Sequence, residues 1–340
     1  MVGQRLSIIE RETLAQRRLV RNLETLGVAN MRTLEMKISD SGPLSQRVNP
    51  HVLTRVRTAM IQAQRLRKTG VWYHRTNEPA ARVAERLAVL QPIYDATNRR
   101  AFTVRMGQAL EIAILRALEQ SELHFVGGFI DLAQHDDSTL YRKEEPPLRF
   151  SGKQMPGDKR FDFLAFHPKA GSIGIEAKNV REWIYPDRRE VKELLTKAVV
   201  SDSVPVLIAR RIPYVTRRLL DVSGVMLFEN FNQLYPIADA TLAAQVSQKD
   251  LLGYHDVRVG NDPNARLVEF VTNTVSARAE EYRERFNRYR DLLQRFAEGE
   301  LSYAGFAARI RRRENALPEN GDHTADEDNF DPNDYEEDLD

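Results

Sequence analysis

Residues Arg160–Asn179 read RFDFLAFHPKAGSIGIEAKN. The runs FDFLAF (161–166) and SIGIEAK (172–178) flank HPKAG (167–171), and this pattern predicts a β-hairpin. A turn centred on Lys169 sets residue i opposite residue 338 − i, so Asp162 faces Glu176. Strand alternation then places Asp162, Leu164, Phe166, Gly174, Glu176 and Lys178 on one face. Phe161, Phe163, Ala165, Ile173, Ile175 and Ala177 take the other. Facing residues have Cβ atoms about 5 Å apart, so two carboxylates placed there repel. A divalent cation is the natural compensation, and hard oxygen ligands suit Mg²⁺. Lys178 lies about 6–7 Å along the strand from Glu176, within reach of a phosphate or an attacking water.

Outward from the hairpin, helix and strand alternate. A helix is expected over 104–120, a strand near HFVGGFIDL (124–132), and a polar loop over 133–147. A helix over 187–200 and strands at VPVLIARR (204–211) and GVMLFEN (224–230) follow. The order predicts an α/β domain over 101–240, with a mixed sheet flanked by helices. The helix MGQALEIAILRALEQ (106–120) is apolar almost all round, with only Glu111 and Arg116 charged over its central part. Such a helix is buried, and a buried carboxylate is costly unless paired or metal-bound. Glu111 is therefore exposed through a gap, paired with a cation such as an Arg, or bound to a metal.

Asp162 on one strand and Glu176-Ala177-Lys178 on the next resemble the D…E-x-K signature of the PD-(D/E)XK nuclease superfamily. The resemblance covers about 105–235 and implies a restriction-endonuclease-like fold. It also implies that Asp162 and Glu176 bind Mg²⁺ with the carbonyl of Ala177, that an upstream Glu such as Glu111 assists, and that Mn²⁺ substitutes. Lys178 would serve the attacking water or the transition-state charge. This chain departs from the pattern in having Phe161, not Pro, before the Asp, and Asp158 in PGDKRFD is a rival for that role.

The remaining chain bears on partners. Of its 49 acidic residues, 12 lie in 314–340, a stretch without Lys or Arg that reads as a disordered acidic tail. The other 313 residues carry 50 basic against 37 acidic side chains. Residues 1–100 alone hold 18 basic against 8 acidic. A polyanion partner is indicated, DNA first and RNA also admissible. Residues 1–100 read as helical with a short strand at VWYH (71–74), similar to a winged helix. The helix opening at Asn49-Pro50 is read as carrying Arg55, Arg57, Arg65, Arg67 and Lys68 toward phosphates and base edges. Arg181, Arg188 and Arg189 follow the E-x-K strand and are candidates for further phosphate contacts, as are Lys153 and Lys159 in the loop before it. Trp183 and Tyr185 suit base stacking or core packing equally, and Lys192, Glu193 and Lys197 are polar positions on the helix that follows.

Residues 241–313 read as a helical region. Tyr282, Phe286, Tyr289, Leu293 and Phe296 form a heptad-like seam there, read as intrachain packing ahead of a dimer coil. A homodimer or a protein partner stays open. The chain has no Cys, no run of apolar residues long enough for a membrane span, and no leader-like start, so a cytoplasmic protein is expected. It also lacks a G-x-x-x-x-G-K-[ST] loop, a G-x-G-x-x-G turn, an H-E-x-x-H helix and a G-x-S-x-G elbow. Two functions remain: a metal-dependent DNA endonuclease, and a non-catalytic nucleic-acid-binding protein with a nuclease-like domain.

Overall fold

The computed structural model describes residues 6–41, 46–135, 137–150 and 152–318. The proposed tail falls mostly outside them, but its first residue, Glu314, ends a helix. The chain forms two compact units. One comprises residues up to Thr103 together with Asp239–Val259, and the other comprises Val104–Ala238 and the chain from Gly260 onward. The expected helical region 241–313 is thus divided between them.

The first unit begins with helix α1 (Ile8–Leu26), closed at its start by a capping box between Ser7 and Glu10. Strand β1 (Ala29–Asn30), helices α2 (Met31–Ile38) and α3 (Pro50–Gln62), and strands β2 (Leu66–Thr69) and β3 (Trp72–Arg75) follow. The three strands form an antiparallel sheet in the order β1–β3–β2. Leu19, Leu23, Leu34, Val52, Leu53 and Tyr73 pack into one core. Helix α4 (Ala80–Asn98) follows and packs against α8 (Ala240–Ser247). The reading of a single strand at 71–74 missed β2. Helix α3 stops at Gln62, because Gln64 takes a left-handed conformation (φ 54°), so Arg65 lies beyond the helix and Arg67 and Lys68 sit on a strand.

The second unit is built on a five-stranded mixed sheet. Helix α5 (Arg100–Leu118), which enters this unit from Val104, leads into β4 (His124–Val126). Short strands β5 (Gly128–Phe129), β6 (Lys143–Glu144), β7 (Arg149–Phe150) and β8 (Lys153–Gln154) precede β9 (Phe163–His167) and β10 (Gly171–Lys178). Helix α6 (Arg189–Ser201), β11 (Val204–Ala209), α7 (Tyr214–Val222) and β12 (Met226–Glu229) complete the sheet in the order β12–β11–β10–β9–β4. Strands β10, β11 and β12 run parallel, and β9 is antiparallel to both β10 and β4.

One sheet face packs on α5 through Ala113, Ile114, Phe163, Ile175 and Val206. The other packs on α6 through Leu164, Leu194, Leu195 and Leu207. Helices α9 (Ala265–Glu269), α10 (Val275–Glu298) and α11 (Tyr303–Glu314) finish the unit, with a π-helical turn at Phe270–Thr274 between the first two. The seam Tyr282, Phe286, Tyr289, Leu293 and Phe296 is fully spent on these two cores, which is the intrachain packing expected of it.

The hairpin register agrees with the turn arithmetic: Gly171 pairs with His167, Ile173 with Ala165, and Ile175 with Phe163. One residue earlier the alternation breaks. The Asp162 amide donates to the Ile175 carbonyl (3.0 Å), so Asp162 and Phe163 both oppose Ile175, as at a β-bulge. Phe161 therefore does not share the Phe163 face. It lies with Leu164 in the α6-side core, its ring over Gly174, where a Cβ would stand 2.3 Å from a ring atom.

Candidate active site

The bulge aims Asp162 away from its expected place beside Glu176. Asp162 Oδ2 accepts the Ala177 amide (2.8 Å), and Oδ1 accepts the Lys143 ammonium (2.8 Å). The same ammonium stands 2.9 Å from Glu111 Oε2 on α5. Lys143 therefore bridges the two carboxylates, which are 13% and 14% exposed. The 2.9 Å contact is an ion pair, and its Glu111 Oε2 oxygen is buried.

Glu176 has partners of its own. Oε1 accepts Lys178 (2.6 Å), and Oε2 accepts Lys197 from α6. Lys197 is itself buried, donates to the Arg160 carbonyl (2.9 Å) and lies 5.1 Å from the centre of the Phe161 ring. Three carboxylates and three ammonium groups thus alternate at the point where the chain enters β9 and leaves β10.

Their charges set one another. Burial and the neighbouring Asp162 raise the Glu111 carboxyl to about 7, against the opposing pull of Lys143 and Lys178. Burial acts to raise Asp162 as well, but Lys143 and Lys178 outweigh it and hold Asp162 below the ordinary carboxylate range. Burial acts to lower Lys178, and Glu176 and Asp162 outweigh that and raise it. Lys143 is raised in the same way by Asp162 and Glu111.

Of the expected site residues, Glu111, Asp162, Glu176 and Lys178 therefore lie in one charge network with the Ala177 backbone. They do not form a single acidic cluster: among the described residues no group of three His, Asp or Glu is placed to hold a metal ion. Asp158 is removed from the network. It sits in the turn Pro156–Asp158 with φ 54° and accepts Gln154 Nε2 (3.2 Å).

Sequence reasoning missed Lys143 as a site residue. It lies in the stretch read as a loop, which instead pairs briefly with β5, Lys143 opposite Phe129. Lys197 was noted only as one polar helix position among three. Its signal is a Lys within the apolar stripe of α6, three residues after Leu194 and one before Ala198.

The basic residues proposed for nucleic acid divide. Arg55 is half-exposed and pairs with Glu12 (3.2 Å). Arg57 lies over the Tyr73 ring, at 4.9 Å, and Lys68 is 5.8 Å from the same ring. Arg65, Arg67 and Lys68 are exposed around β2. In the other unit Arg189 is exposed, while Arg188 is tied to Glu190 (2.8 Å). Arg181 is buried and donates to Gln233 (2.9 Å), so its guanidinium is engaged inside the fold and not presented to a phosphate. Trp183 is buried too, which makes it a packing residue rather than a stacking platform. Lys159 is paired with Glu193.

Comparison with protein-family models, with curated proteins and with solved structures finds no match for this chain. No helix among the described residues is long and apolar enough to cross a membrane.

Proposed function

We propose that this protein is a Mg²⁺-dependent DNA endonuclease of the PD-(D/E)XK type, with Mn²⁺ able to substitute. The observation that carries the reading is one ammonium shared by Glu111 and Asp162, directly beside the Glu176-Ala177-Lys178 strand. A mixed sheet flanked by helices, with the Asp at the start of one strand and the E-x-K on the next, is the arrangement that the resemblance implies.

The residues fit a divalent cation at one place. Glu111 and Asp162 already divide one positive charge between them, and Glu111 Oε2 is a buried hard oxygen facing the Lys143 ammonium. These two would hold the metal, with Glu176 and the Ala177 carbonyl as the further ligands expected from the resemblance. A bound Mg²⁺ would supply neutralisation of phosphate charge and an acidified water. Lys178 stands next to both carboxylate groups and is kept cationic by them, so it suits the developing charge on a phosphate. Lys197 orients Glu176 from below.

The first unit supports delivery to DNA. Its order α1–β1–α2–α3–β2–β3 and its strand order β1–β3–β2 are what a winged helix requires, with α3 as the reading helix and Arg65, Arg67 and Lys68 on the wing side. A second reading has its own support. The carboxylates and lysines of the site are equal in number and already paired, as in a domain that only grips nucleic acid.

One experiment separates the two. The full chain is incubated with duplex, branched and single-stranded DNA and with RNA, with and without Mg²⁺, beside Lys178→Ala. The endonuclease reading expects Mg²⁺-dependent cleavage that Lys178→Ala abolishes while binding survives. Binding without cleavage under every condition supports the second reading.

A further inference from the structure

A second concentration of charge lies in the first unit. Arg18, Arg21, Lys37, Arg82, Arg86 and Lys249 line a cavity of about 610 Å³, against a single carboxylate, Asp250. The α1 residues here, Arg18, Arg21, Asn22 and Thr25, occupy a different face of the helix from Leu19 and Leu23, which enter the core. The cavity is therefore distinct from the α3 and β2 surface assigned above to DNA. Among the described residues Leu26 is its one apolar lining residue and no aromatic ring takes part, so they offer charge and hydrogen bonds but no stacking platform.

Part of this charge has a structural use. Arg82 donates to the Glu24 and Thr25 carbonyls (3.1 and 3.3 Å) and Arg86 to the Leu26 carbonyl (2.9 Å), closing the C-terminus of α1. Lys37 donates to the Lys249 carbonyl (2.8 Å), and Arg18 to that of Gln46 (3.0 Å). Carbonyls fix these cations in place without cancelling their charge. Among the described residues the carboxylate paired with them is Glu78, on Arg82 (2.6 Å). Arg21 and Lys249 have no such use: both are exposed, and among the described residues their side chains make no hydrogen bond or ion pair. Burial and the adjacent Lys249 outweigh Asp250 and hold Lys37 below its ordinary value, and burial and Arg17 do the same to Arg18.

We propose that this cavity is a polyphosphate site, taking two or more adjacent phosphates through Arg18, Arg21, Lys37 and Lys249. A volume of 610 Å³ is in the range of small-ligand pockets, roughly 300–1,000 Å³. The absence of aromatic lining selects the phosphates of the ligand and leaves any base unread. Two sources share this chemistry: the backbone of a nucleic acid, and a free polyphosphate such as the tail of a nucleotide. The proposal stands independently of the reading of the Glu111–Asp162 network.

The test is calorimetric titration of the full chain with inorganic tripolyphosphate at low and high salt, beside Arg21→Ala and Lys249→Ala. Neither residue has a structural contact to lose, so both variants should keep the thermal midpoint of the parent. The expected result is salt-dependent binding, weakened about tenfold by each substitution, the worth of one charge-assisted hydrogen bond. Duplex DNA that competes with tripolyphosphate assigns the site to a nucleic-acid backbone, and simultaneous binding assigns it to a free polyphosphate. Parent protein that does not bind tripolyphosphate, or variants that bind it as the parent does, would overturn the proposal.

Discussion

Glu111 is ordinarily a carboxyl of pKa 4.5, and inside the fold it titrates near 7. Its folded value is raised, so its stabilising contribution is complete below about pH 4.5 and is lost as pH rises through 7. The loss amounts to about 3 kcal/mol by pH 8. Asp162 is lowered and the lysines Lys143 and Lys178 are raised, so none of the three titrates within that window. Thermal unfolding in a chelator from pH 5 to pH 8 should show the parent losing stability that Glu111→Gln does not lose; parallel curves would refute the assignment. Lys143→Met tests the bridge itself. It leaves two facing carboxylates without their cation, which should cost about 3 kcal/mol at pH 8 and less at pH 5, where Glu111 keeps its proton. Added Mn²⁺ should restore the lost stability if the pair holds a metal, and a midpoint indifferent to Mn²⁺ would count against a metal there. At this scale the sequence was informative about charge at strand positions. Asp162, Glu176 and Lys178 stood out because strands rarely carry them, and Glu111 because its helix is otherwise apolar. Lys143 was hidden because it sits in a polar stretch without periodicity, where one Lys looks like any other.

The hairpin of β9 and β10 owes its register to a turn of three residues, Pro168–Ala170, between the paired His167 and Gly171, and the centre of that turn followed from counting. The bulge at Asp162 did not, because alternation assumes an unbroken ladder. Its trace in the sequence is Gly174, whose missing side chain leaves room for the Phe161 ring. Gly174→Ala should drive that ring from its place between the strand and Lys197, at a cost of about 1–3 kcal/mol in chemical denaturation. An unchanged denaturation midpoint would mean that the ring relocates freely. On the β2 side, removing Arg65, Arg67 or Lys68 should each reduce the salt dependence of DNA binding by about one unit of the log–log slope if it contacts a phosphate. Truncation of Arg181 should leave that slope untouched, since it is bonded internally to Gln233. The early end of the helix expected to carry Arg65, Arg67 and Lys68 was not legible, because the left-handed turn at Gln64 has no marker residue such as Gly to announce it.

The whole chain was read as four consecutive segments, and the fold does not respect that order. Contacts between segments far apart in sequence leave no periodic trace, so nothing in 239–259 announces that it belongs with residues before 104. The consequence is practical. A fragment beginning at residue 104 would carry Ala243, Val246, Leu252 and Val257, buried residues of a unit whose larger part had been removed. It should aggregate, and replacing 239–259 by a short polar linker should recover soluble material. Equally, residues 1–103 alone lack a segment of their own unit, including the helix that packs on α4. The chain passes between the two units at three junctions, so a single proteolytic nick at any of them cannot yield both units whole. Any account of how this protein acquired its parts must explain two units that each interrupt the other, an interleaving that neither end-to-end fusion nor a single insertion produces.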